Sequence, residues 1–215
     1  MRDKTEAVLA IARRAPVIPV VTIEEALLAV PLARALVEAG LPVVEVTLRS
    51  EAALDAIGAI ARDVPDAIVA AGTVLEAGQI AQAVDAGARF IVTPGTPPRL
   101  AEILAKASVP VLPGCSTATE ALALADLGFE MLKFFPAGAS GGAAWLKSIH
   151  GPLPRLKFCP TGGIDAANAA TYLALPNVVC VGGSWMASAS LIVAGDFEAI
   201  GRLAREAAAL RLGPA

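Results

Sequence analysis

The strongest constraint on the fold is a unit that recurs along the chain. The segments "EAGLPVVEVTLR" (38–49), "DAGARFIVTPG" (85–95) and "DLGFEMLKFFPAG" (126–138) each end a helical stretch on glycine and then enter an apolar strand. Glycine suits the left-handed conformation in which helices commonly stop. Further strand-like runs fill the intervals, at 16–23, 67–75, 110–116, 156–163 and 178–185, with Ala-rich helical stretches at 51–62, 76–86, 117–127 and 165–175. Strands in about eight places alternating with helices predict an α/β protein, a (β/α)8 TIM barrel. Residues 3–14 then form an extra N-terminal helix, and Pro31 opens a second helical piece at its first position, where the missing N–H is not needed. A doubly wound open sheet is the alternative, but the glycine fingerprint expected after its first strand is absent.

Composition fits this picture. The chain is 56% hydrophobic and only 4% aromatic, so its interior must be aliphatic, which suits parallel strands covered on both faces. No linker or second composition regime appears, so residues 1–215 are expected to be a single domain. The net charge is -3 and the basic residues are scattered, which argues against a nucleic-acid partner. The first residues alternate charged and apolar positions, unlike a signal peptide, and no run reaches the length of a membrane span. A cytoplasmic protein with no membrane partner is expected. Cys115, Cys159 and Cys180 are far apart and His150 is the single histidine, so no metal site is expected. The cysteines read as core packing, and His150, just before Gly151 and Pro152, as a surface residue ending a helix.

Alternation within the strands puts polar groups on the wrong face. In "VVEVTLR" Val44, Val46 and Leu48 share one side, while Glu45, Thr47 and Arg49 share the other. The apolar side must meet the helices, so the polar side points into the barrel. In "MLKFF" the same rule turns Leu132 and Phe134 outward and Met131, Lys133 and Phe135 inward. Glu45 and Lys133 each fall five residues after a helix-ending glycine, Gly40 and Gly128, so they share a register and are expected to meet. A structural salt bridge would explain the pair alone. Catalysis also accounts for Arg49, Thr73 and the glycine pairs below. An amine withdrawn from water moves from a pKa of about 10.4 towards neutrality and becomes a nucleophile for carbonyls. The imine it forms is an electron sink, so carbon–carbon bonds can be cleaved without a metal or other cofactor.

Two further motifs, "PTGGI" (160–164) and "VGGSW" (181–185), follow the seventh and eighth predicted strands. Loops at those places commonly hold phosphate in such barrels, and paired glycines let backbone N–H groups approach an anion. Ser184 adds a hydroxyl donor.

With Glu45, Arg49, "AGTVL" (71–75), "KFFPA" (133–137), "PTGGI" and "VGGSW" in place, the chain closely resembles the KDPG/4-hydroxy-2-oxoglutarate class I aldolase family over essentially its whole length. The resemblance implies cleavage of 2-dehydro-3-deoxy-6-phosphogluconate (KDPG) to pyruvate and glyceraldehyde 3-phosphate, the closing step of the Entner–Doudoroff pathway. It implies that Lys133 forms the Schiff base and that Glu45 is the general acid/base. It assigns Arg49 and Thr73 to the pyruvyl carboxylate, Pro94 and Phe135 to the pocket wall, and Gly162, Gly163, Gly183 and Ser184 to the phosphate. Thr161 is an additional polar contact near the nascent hydroxyls. A homotrimer is implied as well. The alternatives are the same imine chemistry on 4-hydroxy-2-oxoglutarate, the phosphogalactonate epimer or oxaloacetate; a phosphate-binding isomerase or synthase without an imine; and a barrel without turnover.

Overall fold

The computed structural model describes the backbone of residues 2–210 and the side chains of residues 5–210. Its strands are β1 (Val17–Val21), β2 (Val43–Thr47), β3 (Ile68–Gly72), β4 (Phe90–Val92), β5 (Val111–Leu112), β6 (Gly114–Cys115), β7 (Met131–Phe134), β8 (Lys157–Pro160) and β9 (Val181–Gly183). All named pairings are parallel. One sheet runs β5-β4-β3-β2-β1-β9 and the other β6-β7-β8. Two isolated parallel bridges, Phe158↔Val178 and Thr161↔Gly182, bring β8 alongside β9. The result is an α/β fold with a curled parallel sheet.

Strand residues divide between two apolar clusters, as alternation requires. Ile18, Val43, Ala70, Phe90, Leu112 and Met131 belong to the smaller cluster on the concave face, together with Cys159 and Cys180. Val44, Val46, Val69, Ile91, Leu132 and Phe134 belong to the larger one beneath the helices. Helix α1 (Arg2–Ala12) contributes Val8 and Ala12 to the concave cluster and so covers the N-terminal end of the sheet.

The helix ends show why the recurring glycines matter. Helices α2 (Ala29–Glu38), α4 (Ala77–Asp85) and α6 (Ala118–Asp126) are followed by Gly40, Gly87 and Gly128, with φ of 91°, 101° and 88°. The N–H of Gly40 bonds the carbonyl of Val37 and that of Leu41 bonds Leu36, both at 2.9 Å. The same pair of bonds closes the other two ends, at Gly87 with Ala88 and at Gly128 with Phe129. These are Schellman stops, in which a left-handed residue satisfies orphan carbonyls and turns the chain into the next strand. At the opposite end of α6, Thr117 Oγ1 accepts the N–H of Glu120, and Glu120 Oε2 accepts those of Ser116 and Thr117.

Three details differ from the sequence reading. Pro31 is the third residue of α2, behind a short 3-10 turn at Ala26–Leu28, rather than the first. The third N–H of a helix also lacks an intrahelical acceptor, so proline fits there too. The helix expected over 165–175 contracts to α8 (Ala169–Leu173), because Asp165 Oδ1 accepts the N–H groups of Ala167 and Asn168 and folds that stretch into a turn. His150 does end helix α7 (Gly142–His150), but it is half-buried, and its Nδ1 is buried with no partner.

Candidate active site

Glu45 stands at the middle of β2 and Lys133 near the end of β7, both on the concave face above the apolar cluster. Lys133 Nζ donates to Glu45 Oε1 at 2.8 Å, and the two side chains are only 5% and 4% exposed. The outward neighbours hold the lysine's strand in place. Phe134 stacks on Trp145 of α7 with ring centroids 4.4 Å apart, and Trp145 meets Phe158 edge-on at 5.8 Å. Such aromatic contacts add about 0.5–1.5 kcal/mol each beyond burial. The Phe135 ring centroid lies 5.6 Å from Lys133 Nζ.

Lys133 is flanked in register by Gly114 of β6 and Cys159 of β8. Gly114 is in turn clasped by threonines. Its N–H donates to Thr93 Oγ1 at 2.9 Å, Thr93 meets Thr96 at 2.8 Å, and Thr96 Oγ1 donates to the Gly114 carbonyl at 2.9 Å. A side chain on Gly114 would collide with Pro94, so the close approach of the two strands depends on glycine. This clasp packs half-buried Pro94 against Gly114, the register partner of Lys133. The sequence reading did not single out Thr93, Thr96 or Gly114, and alternation could not have found Thr93, which shares the parity of the outward Ile91 while Phe90 and Val92 face inward.

On the other side, Thr47 Oγ1 donates to the Val21 carbonyl at 3.1 Å and accepts from Thr22 Oγ1 at 2.9 Å. Thr73, immediately after β3, has φ of 59°. A β-branched residue in the left-handed region is a strained arrangement of the kind that clusters at functional sites. Thr161 is buried, bridges to Gly182 and places its hydroxyl in the space that a side chain on Gly182 would fill. Thr161 thereby ties the start of the loop after β8 to β9. Gly162 and Gly163 have φ of 94° and 74°, a conformation that favours glycine, and the carbonyl of Gly162 accepts the N–H of Gly138. Gly183 is buried against the Trp185 ring, and Ser184 is exposed.

One candidate is not where alternation put it. β2 ends at Thr47, the N–H of Arg49 turns back to the Thr47 carbonyl at 2.8 Å, and Arg49 is exposed at the rim instead of inward. Period-two reasoning fails there because the strand has already ended.

The three cysteines are free and buried. Burial pushes the Cys115 thiol up to about 12, and the neighbouring Cys159 together with burial holds Cys180 well above the ordinary thiol range. The Cys115 and Cys180 thiols therefore stay neutral and behave as packing groups. Among the described residues, no helix is long and apolar enough to cross a membrane.

Comparison with known proteins is consistent with this geometry. The family described as "Aldolase: KDPG and KHG aldolase" matches residues 8–203. The 2-dehydro-3-deoxy-phosphogluconate aldolase of Pseudoalteromonas atlantica is 50% identical over 194 residues, covering 90% of both chains. A KDPG aldolase structure from Legionella pneumophila, with pyruvate captured as a covalent carbinolamine intermediate, aligns with a TM-score of 0.91 at 41% identity, over 94% of this chain and 98% of that one. The Zymomonas mobilis aldolase structure with 3-phosphoglycerate aligns with a TM-score of 0.91 at 43% identity, over 98% and 97%. On sequence and structure alike, the chain belongs to the KDPG and KHG aldolase family.

Proposed function

We propose that this protein is a class I aldolase that cleaves KDPG to pyruvate and glyceraldehyde 3-phosphate through an imine on Lys133. The observation that carries this reading is the buried 2.8 Å contact between Lys133 Nζ and Glu45 Oε1. A carboxylate at that distance can take a proton from the ammonium and return it to a departing hydroxyl, as general acid–base catalysis requires. The neutral amine attacks the C2 carbonyl to form a carbinolamine, which loses water to give a protonated imine. Removal of the C4 hydroxyl proton then breaks the C3–C4 bond. The bonding electrons move to the imine nitrogen, glyceraldehyde 3-phosphate leaves, and the enamine that remains is protonated at C3. Water releases pyruvate and restores Lys133.

The surrounding residues divide the rest of the substrate. Thr73 at the end of β3 and Arg49 at the rim bind the carboxylate, with Arg49 reaching over from its exposed position on ligand entry. Phe135 and Pro94 wall the pocket on either side of Lys133. Thr161 faces the hydroxyls. Gly162, Gly163, Gly183 and Ser184 hold the phosphate, a role supported by the two left-handed glycines and by the Thr161↔Gly182 bridge that sets the two loops side by side. No cofactor has a part in this scheme. The family description also includes KHG aldolase, so 4-hydroxy-2-oxoglutarate is the second substrate to compare; it lacks the phosphate that the glycine loops would recognise.

The same reading takes the architecture as one (β/α)8 barrel domain over 1–215, with β5 and β6 a single stave interrupted at Pro113 and α1 an added helix closing its N-terminal end. The reading includes assembly into a homotrimer, with which the exposed apolar side chains of Leu27, Leu75, Ile103, Leu122 and Val193 are compatible. A cytoplasmic location agrees with the free thiols.

The deciding experiment is peptide mass spectrometry after incubation with pyruvate and borohydride. A single reduced-pyruvate adduct on Lys133 is expected. Folded protein with no adduct would point instead to a phosphate-binding barrel that does not form an imine.

A further inference from the structure

We propose that Gly72 is a positioning residue for the proton-transfer carboxylate, because the volume of its missing side chain is where Glu45 stands. The inference rests on the reading of Glu45 as the acid/base.

Within the β2–β3 ladder, Glu45 pairs with Ala70 and Thr47 with Gly72. A Cβ placed on Gly72 would lie 2.6 Å from Glu45 Cγ and 2.8 Å from Cδ, and would overlap Oε1 as well. Carbon atoms in contact normally stand about 3.5–4.0 Å apart, so the two groups cannot share that space. Glu45 has little freedom to retreat: it is 3% exposed and its Oε1 is held 2.8 Å from Lys133 Nζ. An added methyl group would have to move the carboxylate off the lysine.

Conformation does not explain this glycine. Gly40, Gly87, Gly128, Gly162 and Gly163 all have positive φ, whereas Gly72 lies outside that set, in the strand. Its carbonyl accepts the Leu48 N–H at 2.8 Å, a bond that alanine would retain. Glycine within a strand weakens it, and commonly marks a close approach of another group. Here the approaching group is the Glu45 side chain. Gly78 in α4 is the contrasting case, since a Cβ there meets nothing within 4 Å.

The test is a double-mutant cycle read by hydrogen–deuterium exchange at the pyruvate methyl group and by KDPG cleavage, with Gly78→Ala as a control expected to match wild type. Glu45→Ala removes Cγ, Cδ and the carboxylate and so vacates the contested space. Gly72→Ala is expected to slow exchange by about 10²-fold in the wild-type background, the scale of a lost general acid/base. In the Glu45→Ala background, read on the residual exchange, it is expected to cost less than about 3-fold, because the two sites act through one contact. An equal loss in both backgrounds, or no loss in the first, overturns the proposal. If Gly72→Ala alone fails to fold, recovery of a cooperative thermal transition in the double variant supports the coupling, and failure to recover refutes it. Glu45→Gln keeps the two readings separate: full exchange in that variant removes Glu45 from the mechanism, whereas lost exchange together with a silent Gly72→Ala removes Gly72 alone.

Discussion

Along the concave face of the sheet, the N-terminal and C-terminal ends of the strands are built from different chemistry. At the N-terminal end Val43, Phe90, Leu112 and Met131 pack with Val8 and Ala12 of α1 into a closed apolar plug. Two residues further along the same strands stand Glu45 and Lys133, with Gly72 and Gly114 on neighbouring strands. The plug is filled by large side chains. Above it, glycines withhold volume and two charged groups occupy part of the space. The difference teaches a division of labour: the plug stabilises, while the layer above carries the desolvation cost of an ion pair that the proposed imine chemistry of Lys133 would turn to reactivity. Burying two charges is a weak source of stability even when they meet, because the attraction roughly offsets the lost hydration.

Substitutions can break or sharpen this contrast. The largest effect is expected from Lys133→Ala, which removes the nucleophile and should lower KDPG cleavage by at least about 10⁴-fold, the scale seen when a covalent nucleophile is lost. Borohydride trapping with pyruvate should then give no adduct, and appreciable residual turnover would show that the lysine is not the nucleophile. Next is Phe90→Ala in the plug, where Phe90 is 1% exposed. It should cost about 3–5 kcal/mol in urea unfolding, while pyruvate trapping at Lys133 persists in the folded fraction. Loss of trapping without loss of stability would erase the distinction between the two layers.

The neutral double variant Lys133→Met with Glu45→Gln tests the contrast from the other side. It should be inactive yet as stable as wild type, or more stable by roughly 1–4 kcal/mol, as replacements of buried ion pairs often are. A clear loss of stability would restore the structural salt bridge as the reason for the pair.

The smallest effect concerns Glu120 in the first turn of α6. The Ser116 N–H, with further bonds from the Ser116 and Thr117 groups, holds its carboxyl below the ordinary range. A depressed folded-state value means that its contribution is present above the unfolded value of 4.5 and is lost as pH falls through the folded value. Glu120→Gln, whose amide oxygen can still accept the Ser116 and Thr117 N–H groups, should therefore flatten the acid limb of the melting-temperature profile slightly while the cap is kept. An unchanged acid limb would place that stability elsewhere.

Much of this was legible in the sequence, for local reasons. Gly40, Gly87 and Gly128 mark helix stops because a left-handed cap is a property of a few consecutive residues. The inward direction of Glu45, Met131 and Lys133, and the outward direction of Leu132 and Phe134, follow from the two-residue period of a strand. The same rule misplaced Arg49, because the length of β2 is set by its pairing with β3, which ends at Gly72, and not by the residues of β2 alone. The Asp165 turn that shortens α8 shows the same limit, since side-chain competition for backbone N–H groups overrode an Ala-rich helical pattern.

By itself, then, the sequence determined the alternation of strands and helices, the inward facing of Lys133 and Glu45, and the family to which the chain belongs. Only the tertiary structure decided that Lys133 and Glu45, 88 residues apart, meet at 2.8 Å. It alone showed that the Thr93, Thr96 and Gly114 clasp sets Pro94 against Gly114, the register partner of Lys133, and that the empty side of Gly72 is filled by Glu45. The physical reason is range. Caps and alternation act through neighbouring residues, whereas these contacts exist only after the curled sheet brings distant strands within van der Waals distance, where a single methyl group decides what fits.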